Sequence, residues 1–242
     1  MQINSTKGLY ISNMHFTFLP GLSPFFNGVS VQFMPGVITF VKGKNGSGKT
    51  TLFRILHGDI NNLEQFQATF ELDGQEYKVI NNKVAPEYTG QVQQVVQNIN
   101  SMLADQLTVE QNLQMAQLAR VPSLRSLPKL SELPLILRDL GIKRHDYVAQ
   151  LSGGQRQILA IAMMLQKPTR VLLLDEPTAA LDTKNADLVM KAIQEIAHKQ
   201  QLVVLVISHD KELVEQYARH EYTEIHVADN GTRSFVKIPV GV

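Results

Sequence analysis

Apolar residues recur with a period of two early in the chain and with helical spacing later, and this change of period divides the sequence before any chemistry is considered. Leu9, Ile11, Met14, Phe16 and Phe18 form a strand-like series that runs into the turn signals Leu19-Pro20-Gly21 and Ser23-Pro24. A second strand is predicted over 29–33 and a third at Val37-Ile38-Thr39-Phe40-Val41. Helical spacing follows in Thr51-Leu52-Phe53-Arg54-Ile55-Leu56-His57, with Gly58 placed to end it. From Gln67 to Val95 the pattern becomes short polar strands and turns. Thr69-Phe70-Glu71-Leu72 before Asp73-Gly74 marks a hairpin, so this stretch reads as an antiparallel flank.

From Leu107 helical periodicity takes over, with Thr108 as cap, Glu110 in the first turn, then Leu113, Met115, Ala116 and Leu118. Pro122, Pro128 and Pro134 recur at equal spacing, but prolines suit loops and first helical turns, and the segment is too short for a solenoid. Leu151-Ser152-Gly153-Gly154-Gln155 opens an apolar helix from Ile158 to Leu165 that closes near Lys167-Pro168. Val171-Leu172-Leu173-Leu174 is continuously apolar, as a strand buried on both faces of a parallel sheet should be, and it ends in Asp175-Glu176. A helix through Leu188, Ile193 and Ile196 leads to a buried strand over 202–207, whose end delivers Ser208-His209-Asp210.

The predicted fold is therefore α/β: one domain with a mostly parallel sheet, an antiparallel β flank and a helical subdomain. The core and flank take 1–97 and 151–242, and the helical subdomain about 98–150. Ligands of such sheets collect at the carboxyl ends of strands. Three strands then bring Lys49, Asp175-Glu176 and His209 toward one rim.

The chemistry centres on Gly43-Lys44-Asn45-Gly46-Ser47-Gly48-Lys49-Thr50, a glycine, four free positions, then Gly-Lys-Thr, set between a strand and a helix. This P-loop pattern predicts an ATP site. Its amides converge on phosphate, Lys49 reaches the β and γ phosphates, Thr50 offers a hydroxyl to Mg²⁺, and Thr51 continues the set into the helix start. Asp175 is suited to hold Mg²⁺ through its water shell, and Glu176 to orient or deprotonate the attacking water. His209 is read as a hydrogen-bond partner of the γ phosphate or of Glu176, and Gln97 as an amide sensor of metal or water. Ordinary surface roles for His209 and Gln97 stay open, as does a plain core role for Phe18, the ring placed to stack on adenine.

Ser152, Gly153, Gly154 and Gln155 form a second glycine-containing helix start. Two chains facing head to tail would let each phosphate loop be completed by the partner's copy of this motif, making ATP part of the interface. The alternative is that Ser152 simply caps its helix.

Composition narrows the setting. With 23 basic against 22 acidic residues in 242, no global field attracts nucleic acid, and no nucleic-acid partner is expected. Cysteine is absent, which removes disulfides and thiolate metal sites. Met1 to Tyr10 carries no signal-peptide pattern and no apolar run of about 18 residues follows, so a soluble cytoplasmic protein is expected.

Taken together, these residues resemble the ATP-binding cassette (ABC) ATPase family over about Leu9 to Gly231. The match rests on Walker A at Gly43 to Thr50, a Q-loop glutamine at Gln97, the signature Leu151 to Gln155, Walker B ending Leu174-Asp175, the adjoining Glu176, and the switch histidine His209. Ala180-Leu181-Asp182 resembles the D-loop, with alanine where serine is frequent, and Lys44 stands where proline is common. The resemblance implies an ATP-sandwich dimer, with an identical or paired cassette, that drives separate transmembrane permease subunits from the inner face of the cell membrane. For an importer it also implies a solute-binding protein. It places the membrane partner's coupling helix near Asn98 to Leu107, with Ile99, Met102 and Leu103 as candidate contacts, and it leaves no room after Gly231 for an added regulatory domain. A soluble relative serving an assembly scaffold is the competing expectation. Cargo and direction of transport are not legible in these residues.

Overall fold

The computed structural model describes residues 8–61, 64–96, 98–118, 129–219 and 221–240. In chain order the strands and helices are β1 (Leu9–Thr17), β2 (Phe26–Phe33), β3 (Val37–Lys42), α1 (Lys49–His57), β4 (Gln65–Leu72), β5 (Gln75–Ile80), β6 (Lys83–Val84), α2 (Pro86–Thr89), β7 (Val92–Val95), α3 (Val109–Ala116), α4 (Leu135–Asp139), α5 (Gly153–Met164), β8 (Val171–Asp175), α6 (Thr183–Gln200), β9 (Val203–Ile207), α7 (Lys211–Tyr217), β10 (Glu221–Val227) and β11 (Arg233–Pro239).

They form two sheets. One has the order β2-β1-β4-β5-β6 with antiparallel pairing throughout. The other has the order β11-β10-β3-β9-β8-β7, parallel from β10 to β7 with β11 antiparallel at its edge. Val92–Val95 therefore belongs to the parallel sheet, which corrects the expectation that it closes the antiparallel flank. Its register, Val92 beside Val171 and Val95 beside Leu174, puts both valines in the core.

The uninterrupted apolar runs of β8 and β9 have the cause expected of them. Leu172, Leu174, Val204 and Val206 face a core shared with the helices, while Val171, Leu173, Val203, Leu205 and Ile207 face a second core beneath α1 and the antiparallel sheet. In β1 the alternation breaks between Ile11 and Met14. The structure resolves this with a bulge there and Asn13 at φ 50, which returns Met14 and Phe16 to the inner face. Asp73 and Gly74, at φ 51 and 86, make the predicted hairpin turn.

The helical region is made of short pieces. Thr108 caps α3 in a capping box with Gln111, and Leu113 is buried, but Met115 and Leu118 face solvent. Leu103 is core and Ile99 and Met102 pack half-buried against it, so one of the three expected coupling contacts is spoken for internally. Pro134 begins α4, whereas Pro122 and Pro128 lie outside the described residues. Elements not read from sequence include α2, α4, α7, β10 and β11. The two strands are rich in polar residues and largely exposed, so their apolar signal is weak. No helix among the described residues is long and apolar enough to cross a membrane.

Candidate functional site

Strands β3, β9 and β8 are neighbours, and the segments leaving their carboxyl ends wall a cleft of about 770 Å³. Its lining includes Phe18, Asn45, Gly46, Gly48, Lys49, Thr50, Thr51, Asp175, Glu176 and His209. Sequence reasoning put Lys49, Asp175, Glu176 and His209 on one rim, and the parallel register places them there. Gly43, Lys44 and Ser47 shape the loop without lining the cleft.

The loop's conformation demands its glycines at two positions above all. Gly43 sits at φ 146, where a Cβ would meet Ser47 Oγ at 2.5 Å and the Ile225 carbonyl at 2.9 Å. Gly48, at φ 116, is the N-cap of α1, and a Cβ there would meet Phe25 at 2.7 Å. No side chain caps α1 and no acidic residue sits in its first turn, so its amides and its positive dipole end face the cleft without an internal anion. Lys49 Nζ donates to the Gly43 and Lys44 carbonyls at 2.8 and 3.3 Å, which holds the ammonium against the loop. Ser47 Oγ is buried with no hydrogen-bond partner. The uncapped amides and the tethered cation suit a phosphate group, while the Ser47 hydroxyl lies buried behind the loop.

On the opposite wall, Asp175 ends β8 and Glu176 follows at φ 50, a strained conformation for a non-glycine residue. The Glu176 amide donates to the Ile207 carbonyl at 3.0 Å, which fixes this turn against the end of β9. His209 Nε2 lies 3.6 Å from Glu176 Oε1, and that oxygen is buried without a hydrogen bond. Burial pushes both carboxyl groups above their ordinary values. His209 opposes the shift at Glu176, and Lys49 and His209 oppose it at Asp175. A desolvated carboxylate of this kind is a stronger base than one in water. Among the described residues no cluster of three or more His, Cys, Asp or Glu side chains could hold a metal. A cation here would rest on Thr50 and Asp175 together with phosphate and water oxygens, as Mg²⁺ prefers.

Gln97 lies outside the described residues. The signature residues stand apart from the cleft. Ser152 Oγ accepts from the Gln155 amide at 3.3 Å and Gln155 Oε1 accepts from the Ser152 amide at 3.0 Å, so the start of α5 is capped within the chain. Gly153 instead helps line a cavity of about 420 Å³ with Asn98, Arg156, Pro177 and Leu181. Glu176 and Ala179 wall both cavities, which puts the acidic turn between the cleft and the signature helix. Asp182 caps α6, accepting from the Asn185 amide at 2.9 Å.

Sequence reasoning missed Phe25 and Arg233. The Phe18 and Phe25 rings meet edge to face with centroids 4.9 Å apart, and both line the cleft. The paired aromatics after Ser23-Pro24 were the available signal for Phe25. For Arg233 there was none, since it lies 186 residues from Ser47 in the loop it touches and on a strand that carries no motif.

A family model described as "ABC transporter" matches residues 26–179. The chain belongs to the ABC transporter family. Methionine import ATP-binding protein MetN of Brucella abortus is 31% identical over 194 residues, covering 79% of this chain and 51% of that protein. The uncharacterized ABC transporter ATP-binding protein YejF of Escherichia coli is 31% identical over 189 residues, covering 77% of this chain and 35% of that protein. The chain thus spans about half the length, or less, of these curated relatives. Among solved structures, a nucleotide-free cassette from an ABC transporter superposes with a TM-score of 0.74 at 20% identity, covering 98% of this chain and 92% of the other. The cbiO1 protein of Clostridium perfringens, part of the ABC transporter complex cbiONQ, superposes with a TM-score of 0.70 at 21% identity, covering 96% and 87%. The fold is that of the ABC cassettes: a P-loop α/β core with an antiparallel flank and a helical signature region.

Proposed function

We propose that this ABC cassette binds and hydrolyses ATP and so powers a transporter whose membrane-spanning subunits are separate chains. The observation that carries the reading is the uncapped start of α1, with its tethered Lys49, across the cleft from a desolvated carboxylate pair. Loop amides from Gly46 to Thr51 and the Lys49 ammonium bind the phosphates, and Phe18 takes the base. Glu176 accepts the proton of the attacking water while His209 keeps its carboxylate in place, and Gln97 serves as the amide sensor of metal or water. Thr50 and Asp175 would hold Mg²⁺, which would supply charge neutralisation to the phosphate oxygens.

Catalysis is completed by a second cassette, identical or paired, whose Ser152, Gly153, Gly154 and Gln155 close over the loop. The exposure of Ser152 and Gly153 and their distance from the chain's own cleft support an intermolecular role. The import role named for the MetN relatives favours an importer, with a permease pair at the inner membrane face and a solute-binding protein delivering cargo.

Size-exclusion chromatography of Glu176→Gln with and without MgATP tests the reading. ATP should convert this variant to a dimer that does not turn over. A Glu176→Gln protein that binds ATP yet stays monomeric, even beside its membrane partner, refutes the sandwich.

A further inference from the structure

Arg233, on β11 at the sheet edge, makes contacts with the phosphate loop that the site description leaves unused. Its Nε donates to the Ser47 carbonyl at 3.0 Å and its Nη2 to the Gly46 carbonyl at 3.4 Å. Nη1 donates to the Gly231 carbonyl at 3.1 Å and to the Phe25 carbonyl at 3.4 Å, and the guanidinium carbon lies 3.5 Å from the Phe25 ring centroid. Every polar partner is a backbone carbonyl. No carboxylate pairs with Arg233 among the described residues, so its charge is not neutralised locally.

We infer that Arg233 is a positioning and specificity residue that links the adenine platform to the phosphate loop, so that stacking of a base and seating of a phosphate chain strengthen one another. The inference rests on the ATP-binding reading given above. Phe25 is the middle of the link. It meets Phe18 in a T-shaped pair, its face receives Arg233, and Gly48 lies so close that a Cβ would reach its ring at 2.7 Å.

At the loop, the peptide group transmits the effect. With no cis bonds present, the Ser47 carbonyl and the Gly48 amide of one planar unit point in opposite directions. An arginine that holds the carbonyl therefore turns the Gly48 N–H away from itself. Because Gly48 lines the cleft and Arg233 does not, the amide's side is the phosphate side. A charge-assisted bond to the carbonyl also polarises the peptide and makes its N–H a better donor. Only a planar fork can hold the carbonyls of Ser47, Gly46 and Phe25 while lying on a ring, so lysine is a poor substitute.

Isothermal titration of the same chain with ATP and with inorganic tripolyphosphate, which has the phosphates and no base, separates the two halves of the link. Loss of a charged hydrogen-bond donor and a cation–π contact predicts that Arg233→Gln weakens ATP binding about tenfold and tripolyphosphate binding about threefold. Arg233→Lys should fall between wild type and Arg233→Gln. Phe25→Leu should lower ATP affinity about threefold and leave tripolyphosphate within about twofold. Phe25→Leu combined with Arg233→Gln should cost less than the product of the two, since both cut one link. An Arg233→Gln protein with wild-type melting temperature that binds ATP as wild type does, or that weakens both ligands by one factor, overturns the inference. Multiplicative single effects overturn it too, and independently of how either variant folds. If wild type binds neither ligand, the ATP-binding reading itself fails.

Discussion

Two helices in this protein begin at glycine-containing turns, and they are built in opposite ways. At α5, Ser152 and Gln155 satisfy each other's backbone donors in a capping box, and the helix start is complete within the chain. At α1 the cap is Gly48, which has no side chain to offer, the first turn holds no acid, and the buried Ser47 hydroxyl lacks a partner. The comparison teaches that a helix start becomes an anion site when its local sequence withholds the cap. Hydrogen-bonding capacity is left open at α1 and used up at α5, and on the proposed reading a bound phosphate would satisfy it at α1.

The sharpest break of this contrast is Lys49→Ala, which removes the ammonium that is bonded to the Gly43 and Lys44 carbonyls and lines the cleft. Phosphate release should fall by at least about 100-fold, as when one transition-state donor is lost. Retention of more than a tenth of wild-type turnover would show that the loop amides suffice.

Next is Gly48→Ala against Gly153→Ala. The first forces a side chain into positive φ and against the Phe25 ring, and should cost about 2 kcal/mol in chemical denaturation along with most ATP affinity. The second meets only the tip of Leu181, at 2.9 Å and at an ordinary φ, and should stay within about 0.5 kcal/mol. Equal costs would erase the distinction between the two starts.

Smaller is Ser152→Ala, which should lower stability by about 1 kcal/mol through the lost cap and leave ATP affinity of the isolated chain unchanged. Ser152→Arg should block turnover while that affinity persists. Normal hydrolysis by a folded Ser152→Arg protein would remove α5 from the shared site.

Least in size is the pH dependence of Glu176. Burial raises its carboxyl above the ordinary 4.5, so the folded state holds the proton more tightly than the unfolded chain does. This group therefore favours folding at pH below 4.5 and opposes it as pH rises through the folded value. Glu176→Gln should melt on the order of 1–3 °C higher than wild type at neutral pH, with the gap closing in acid. A gap that widens in acid would reverse the sign assigned to this carboxylate.

Much of the site was legible because its signals are local. The phosphate loop, the acidic end of β8 and the histidine after β9 each follow a strand whose apolar run marks it as buried, and parallel pairing makes their ends converge. Phe18 was legible as a ring beside a turn. Phe25 and Arg233 were not, because their contacts depend on β11 lying against β2, where Phe26 and Phe235 stack with centroids 5.7 Å apart. The misplacement of Val92–Val95 has the same origin. Four residues between turns fit a flank or a core edge equally well, and only the partner strand distinguishes them.

By itself the sequence determined the strands and helices around the loop, the P-loop pattern, and the residues that end the central strands, since turn chemistry and apolar periodicity act over a few residues. Tertiary structure alone decided that the carboxyl pair is desolvated, that Lys49 is tied to its own loop, and that an arginine from the final strand stands behind the phosphate cradle. Burial and long-range hydrogen bonding depend on what the fold brings alongside, and no short window of residues contains that information.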